Sequence, residues 1–381
     1  MSTEVQKLGM PKWGLSMTEG RLVEWLVEEG ADVAVGDEVA EVETEKINGV
    51  VEAPAAGVLR RKVGTIGEVL PVGAMIGVIA DPSVPDESID TFVADFQSRF
   101  VPGASTEEGE AAPSTIALGD RIVSFVKEGA GEDTVVLLHG FGGESNNWLF
   151  NLSALARGRT VYSLDLPGHG RSSKDVGSGD LEEYGRVTLA AMDALGVDRA
   201  HLVGHSMGAG IAMTCALMQP ARVRSLVLIS PIGFGPEINR EFIDGFVSAG
   251  SRRDMQRCLE ALFADPARVT RQLVNEVLRY KRIDGVERAL ATVAGRLFPE
   301  GQQRTILAER FSGSAVPMLV VWGRKDRIIP VEHAAAAPPH ARVEILEDAG
   351  HSPQMEAAGD VNRLIEAFLA GPAVHPGIEV S

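Results

Sequence analysis

Ala200-His201-Leu202-Val203-Gly204-His205-Ser206-Met207-Gly208 is the stretch that decides how the larger part of this chain folds. Ala200–Val203 reads as a buried strand, Gly204-His205-Ser206-Met207-Gly208 as a sharp turn, and the residues after it as a helix. The two glycines remove side chains that would clash in such a turn, so Ser206 is expected to project above a sheet at a helix N-terminus. A serine hydroxyl is a weak nucleophile, and its use in chemistry requires a base and a group that orients the base.

Working outward, Val135–Leu138, Val161–Leu164, Leu226–Ile229, Met318–Trp322 and Val343–Leu346 are further continuous apolar runs. Strands buried on both faces of a parallel sheet have this character. Helical segments lie between them, which predicts an α/β arrangement over residues 115–372. The segment from about 232 to 312 is charged and helical without strand pattern, and is expected to be a helical cap inserted on the sheet. Asp326 follows the run Met318–Trp322, and His351, in Ala349-Gly350-His351-Ser352-Pro353, follows the last strand. Both fall at strand C-terminal ends, where open α/β sheets place ligands. In the order Ser206, Asp326, His351, the imidazole would take the serine proton and the carboxylate would hold the ring in the right tautomer. His139-Gly140-Phe141-Gly142-Gly143 follows another strand, and the backbone N–H groups of Phe141 and Met207 are the expected oxyanion donors. His139, His205 and the turn Asp165-Leu166-Pro167-Gly168-His169-Gly170-Arg171-Ser172 read as structural.

These motifs together resemble the α/β-hydrolase family. The resemblance implies a serine catalyst acting on an acyl or related carbonyl, but esterases, thioesterases and carbon–carbon bond hydrolases share the layout.

Residues 1–80 differ in kind. Val23–Val27, Val39–Glu43, Gly49–Ala53, Val58–Val63 and Met75–Ala80 are short strand-like runs punctuated by Gly30, Gly36, Gly57, Gly67 and Gly73. They predict a small all-β module of two sheets. Lys46 lies in Glu43-Thr44-Glu45-Lys46-Ile47, sixteen residues after Gly30 and eleven before Gly57. With Val51-Glu52-Ala53-Pro54-Ala55-Ala56-Gly57 behind it, this resembles the lipoyl and biotinyl domains. Biotinyl domains normally flank the lysine with methionines, whereas Glu45 and Ile47 stand here, so the resemblance implies covalent lipoate on Lys46 and a lipoate-attaching enzyme as partner.

Residues 81–114 are rich in Pro, Ser, Thr and Glu and read as a flexible linker. Within it Ile89, Phe92, Val93, Phe96 and Phe100 recur at helical spacing, which predicts a short amphipathic helix over 89–100. That helix would serve as a docking element or pack on the C-terminal domain. Residues 373–381 form a tail. A formal charge of −17 argues against nucleic acid or anionic membrane as partners. Cys215 and Cys258 sit in no metal or redox motif. The N-terminal residues have neither a secretory nor an organelle-targeting pattern, so a cytoplasmic location is expected.

A carrier of acyl thioesters fused to a site that attacks acyl carbonyls makes the second step intramolecular. The whole chain resembles the dihydrolipoyllysine-residue acetyltransferase components of acetoin dehydrogenase complexes. The resemblance implies a thiamine-diphosphate-dependent dehydrogenase component that loads the arm, coenzyme A as acetyl acceptor, and dihydrolipoamide dehydrogenase to reoxidise the dithiol. Unlike the pyruvate-type acyltransferases, the chain has no His-x-x-x-Asp-Gly near its end and no typical peripheral subunit-binding domain. Two other readings stay open. One is a serine hydrolase whose lipoyl domain serves for targeting, and the other is a non-catalytic scaffold.

Overall fold

Short β-prone runs separated by turns build the N-terminal module as β1 (Gln6–Gly9), β2 (Glu19–Trp25), β3 (Asp32–Val33), β4 (Glu38–Glu43), β5 (Asn48–Glu52), β6 (Gly57–Lys62), β7 (Val69–Pro71) and β8 (Met75–Ala80). The structure is a computed structural model, and it describes residues 5–11, 17, 19–44, 48–100 and 113–371. The strands make two antiparallel sheets, β1-β8-β6-β3 and β5-β4-β2-β7. Leu22, Val39, Val42, Leu59, Ile76, Val78 and Ile79 are fully buried and supply the core. β4 pairs with β5 so that Val42 faces Gly49 and Glu43 faces Asn48. Residues 44–47 therefore connect the two strands of a hairpin, and Lys46, with Glu45 and Ile47, lies outside the described residues.

The helix expected in the linker is α1 (Asp86–Arg99), which begins three residues earlier than its apolar spacing suggested. Pro85 precedes it, and Asp86 and Glu87 occupy its first turn, where carboxylates favour the helix dipole. Its apolar stripe packs on the N-terminal module, a destination that neither sequence-based alternative named. Ile89 is fully buried with Met75, Val78, Ala80 and Val84, and Phe92, Val93 and Phe96 cover the same cluster. Lys7 Nζ sits 4.7 Å from the centre of the Phe96 ring. Arg60 pairs with Asp86 at 2.8 Å and Arg61 with Asp90 at 2.9 Å. Such solvent-screened pairs add little, so apolar burial is what holds α1 in place.

The C-terminal sheet contains β9 (Ser114–Leu118), β10 (Arg121–Glu128), β11 (Asp133–Leu138), β12 (Arg159–Leu164), β13 (Ala200–His205), β14 (Val223–Ile229), β15 (Met318–Gly323) and β16 (Arg342–Leu346). Their order is β16-β15-β14-β13-β11-β12-β10-β9. The strands from β11 to β16 are mutually parallel, whereas β10 runs antiparallel to β12 and to β9. The apolar runs identified all six parallel strands. They did not identify the β9–β10 hairpin, because β9 is an edge strand whose side chains alternate between solvent and partial cover. β16 is the opposite edge, and Val343 on it is 39% exposed.

Helices α2 (Leu149–Leu155), α3 (Leu181–Ala194) and α4 (Met207–Met218) connect the central strands. The insertion between β14 and β15 is helical: α5 (Arg240–Ser248), α6 (Arg252–Glu260), α7 (Arg271–Lys281) and α8 (Val286–Leu297). Its neck is clasped by buried Gln303, which accepts from Gly233 N at 2.6 Å and donates to Glu237 O at 2.8 Å. After β16 the chain closes with α9 (Pro353–Glu356) and α10 (Ala358–Leu369). The chain divides into two compact units. One comprises Met1–Ala112, Ala249–Glu260 and Asp265–Arg282, and the other Pro113–Ser248, Ala261–Ala264 and Ile283–Ser381. Among the described residues no helix is long and apolar enough to cross a membrane.

The buried position of Ile89 has a measurable consequence. Ile89→Ala should destabilise the N-terminal module by about 2–5 kcal/mol, the cost of a cavity at a filled core position. Calorimetry of the full chain would show one transition lowered and the other unmoved. An unchanged thermogram would mean that α1 does not pack there.

Candidate active site

β13 ends at His205 and α4 starts at Met207, so Ser206 carries the whole change of direction. Its backbone sits at φ 53°, ψ −111°, a conformation that L-residues rarely adopt and that costs about 1–3 kcal/mol. Ser206 N donates to Ile229 O on the neighbouring strand at 2.9 Å, which pins the turn to the sheet. The flanking glycines are required by contact. A Cβ on Gly204 would lie 2.4 Å from the Gly208 carbonyl carbon, and one on Gly208 would lie 2.1 Å from Leu138 O.

The structure brings Asp326 and His351 together from the ends of β15 and β16. His351 Nδ1 donates to Asp326 Oδ2 at 2.8 Å, and the two side chains are 2% and 0% exposed. Asp326 Oδ2 also accepts from Trp322 Nε1 at 2.9 Å, and Oδ1 accepts from the N–H groups of Ile328 and Ile329 at 2.8 and 2.9 Å. Burial acts to raise the Asp326 pKa, but the His351 ring and the Ile329 and Ile328 N–H groups outweigh it and hold the carboxyl below its ordinary value. The acid is thus kept as a carboxylate, and its bond to Nδ1 leaves His351 Nε2 to accept a proton. His205, the residue before Ser206, donates through Nε2 to His351 O at 2.8 Å, which ties the histidine loop to the elbow.

Phe141 N–H donates to no backbone acceptor among the described residues, and Met207 is the first residue of α4, where a helix gives its N–H no internal partner. The loop that carries Phe141 is braced from below. His139 Nδ1 donates to Gly140 O at 2.8 Å, and its Nε2 accepts from Leu166 N at 3.0 Å. Asp165 accepts from Ser145 N at 2.7 Å and from Arg171 N at 2.9 Å. The turn after β12 thus locks the loop after β11, a structural role for both His139 and the Asp165–Ser172 motif. Phe141 packs edge-on against Phe246 and Phe298, with ring centres 5.8 and 6.1 Å away, so α5 and the residue after α8 wall the loop with apolar surface.

Sequence reasoning missed several contributors. The sequence marks Trp322 only as a strand residue, yet its indole donates to Asp326. The signal it offers is a tryptophan at a strand end, four positions before an aspartate. Phe246 and Phe298 lay within the cap and gave no local sign of meeting Phe141. Among the described residues no cluster of three or more His, Cys, Asp or Glu side chains could hold a metal.

Comparison with known proteins places these features in a family. The profile of the alpha/beta hydrolase fold matches residues 133–358, and that of biotin-requiring enzymes, which covers biotinyl and lipoyl domains, matches residues 6–79. The dihydrolipoyllysine-residue acetyltransferase component of the acetoin cleaving system of Cupriavidus necator is 46% identical over 376 residues, which is 97% of this chain and 100% of that protein. The protein of the same name from Pseudomonas putida is 46% identical over 369 residues, covering 96% and 99%. Among solved structures, a serine hydrolase from a Cycloclasticus species that degrades polyaromatic hydrocarbons superposes with a TM-score of 0.63 at 22% identity, over 69% of this chain and 99% of that one, a likeness of fold alone. The chain joins a lipoyl domain to an α/β-hydrolase domain and belongs to the family of dihydrolipoyllysine-residue acetyltransferase components of acetoin cleaving systems.

Proposed function

We propose that Ser206, Asp326 and His351 form a catalytic triad that transfers acetyl from a lipoyl thioester to coenzyme A, with lipoate carried on Lys46. The observation that carries this reading is the buried Asp326–His351 pair, tied through His205 to a strained serine elbow, on a chain that also holds a lipoyl domain. The antiparallel pairing of β4 with β5 supports lipoate attachment, because Lys46 falls in the sequence between these two paired strands. Bound there, lipoate would supply a dithiol that holds an acyl group as a thioester on a long arm.

In this mechanism His351 takes the Ser206 proton on Nε2 while Asp326 stabilises the imidazolium. Ser206 Oγ attacks the thioester carbonyl, and the Phe141 and Met207 N–H groups receive the oxyanion. His351 returns the proton to the leaving thiolate. The thiol of coenzyme A then attacks acetyl-Ser206, with His351 again as base, and the serine is regenerated. Water competes at this second step, and the Phe141–Phe246–Phe298 wall is suited to limit it. The three other buried histidines stay out of proton transfer. Burial lowers the pKa of His139 to about 4 and of His169 and His205 to about 3, so all are neutral at working pH. The partners that fit this cycle are a thiamine-diphosphate-dependent dehydrogenase component, dihydrolipoamide dehydrogenase and a lipoate-attaching enzyme, and its place is the cytoplasm.

Three measurements bear on this reading. Mass analysis of the native protein should find the peptide containing residue 46 heavier by one lipoyl group; a peptide that stays unmodified in cells competent for lipoate synthesis would remove the carrier role. Purified protein given S-acetyl-dihydrolipoamide and coenzyme A should form acetyl-CoA, and Ser206→Ala should lower that rate by about 10⁴-fold or more. Acetate as sole product would make the protein a hydrolase, and an unimpaired alanine variant would reduce the C-terminal domain to a scaffold. The third measurement concerns acid stability. Unfolding returns His139, His169 and His205 to their ordinary pKa near 6.5. Their contribution is complete above that pH and is lost as the pH falls towards the folded-state values. Three such groups give a slope of about 4 kcal/mol per pH unit near pH 5. The melting point of the C-terminal unit should fall steeply between about pH 6 and about pH 4, and a flat profile would mean that the rings are charged in the folded state.

A further inference from the structure

The loop of His351 is held by more than the triad. Its N–H donates to Leu262 O at 3.0 Å, in the short segment between α6 and α7. Glu356, at the end of α9, grips both sides of that contact. Glu356 Oε1 accepts from Gly350 N at 2.8 Å, and Oε2 accepts from Ala264 N at 2.6 Å. Arg327, next to Asp326, donates through Nη2 to Phe263 O at 2.5 Å. Phe263 is buried. The fit is close enough that a Cβ on Gly350 would lie 2.6 Å from Ala264 N and 3.0 Å from Glu356 Oε1. Three consecutive residues, Leu262 to Ala264, are therefore strapped by main-chain hydrogen bonds to the loops that carry His351 and Asp326.

We infer that Glu356 is a positioning residue: by holding Gly350 N–H and Ala264 N–H at once, it fixes the segment 262–264 against His351, which sets the imidazole and shields acetyl-Ser206 from water. The inference rests on the triad reading above. A carboxylate that accepts two N–H donors makes two charge-assisted bonds of the stronger kind. Without it, two N–H groups lose their acceptor, the Leu262 O contact to His351 N loses its support, and Nε2 moves relative to Ser206 Oγ. Displacements of about 1 Å at a reacting group cost on the order of 10²-fold in rate. Neither Glu356 nor Arg327 touches the reacting atoms, so their effects are expected on turnover and product choice rather than on substrate affinity.

Glu356→Gln in the full-length protein tests this. The amide is isosteric, but it can accept from only one of the two N–H groups and turns a donor towards the other. With S-acetyl-dihydrolipoamide and coenzyme A, kcat per titrated active site should fall about 10-fold, with KM changed less than about 2-fold. The ratio of acetate to acetyl-CoA should rise several-fold. That ratio does not depend on how much protein is folded, so a purely structural defect would leave it unmoved. Arg327→Met, which frees Phe263 O and leaves Glu356 intact, should shift the ratio in the same direction by less. Both variants keeping the wild-type kcat and ratio would overturn the inference. If the wild-type protein forms no acetyl-CoA, the transferase reading fails by itself. The positioning role is then read from an aryl acetate, with partition of acetyl-Ser206 between water and added hydroxylamine. Absence of any acetyl-Ser206 in that assay would overturn the triad and the role of Glu356 together.

Discussion

The Asp326 carboxylate is the constraint on which the rest of the site depends. It is withdrawn from solvent and accepts four hydrogen bonds, from His351, Trp322, Ile328 and Ile329. A buried carboxylate without such donors would take up a proton and could not orient an imidazolium. With them it stays charged, fixes the tautomer of His351 and draws the ends of β15 and β16 together. The loops beyond those strands are shaped by this one group: Ile328 and Ile329 fold back over it, and Trp322 turns its indole into it.

The same logic of satisfied donors extends across the top of the sheet. His205 holds the histidine loop from the elbow, His139 and Asp165 hold the Phe141 loop from the turn beneath it, and Glu356 holds the segment 262–264. Each brace joins residues far apart in sequence through main-chain atoms. The unusual backbone of Ser206 persists because its surroundings over-determine it, as such conformations require. Histidine appears here both beside the Asp326 carboxylate and as a brace. Burial separates the roles by keeping His139, His169 and His205 neutral.

The N-terminal module follows a different plan. Its core is made of small β-branched and aliphatic side chains between two four-stranded sheets, and α1 adds a second apolar layer on β8. A helix that might have been loose linker is thereby part of the folded module. That moves the start of the connecting segment beyond Phe100 and shortens the stretch between the module and β9.

Much of this was legible in the residues themselves. The glycines around Ser206 predict a sharp turn, and the fold gives the reason, since their side-chain positions are filled by backbone. The six apolar runs read as buried strands, and Ser206, Asp326 and His351 each follow one of these runs in the sequence. What the sequence left open were contacts made at long range. The β9–β10 hairpin is half-exposed and carries no continuous apolar run. The packing of α1 was undetermined because an amphipathic stripe specifies that a face is buried but not which surface covers it. The roles of Trp322, Arg327 and Glu356 were also hidden, because a hydrogen bond to a main-chain group leaves no pattern in the partner's sequence. Local residue chemistry determined the strands and helices and marked Ser206, Asp326 and His351 as candidates, whereas the tertiary fold alone decided which donors surround them.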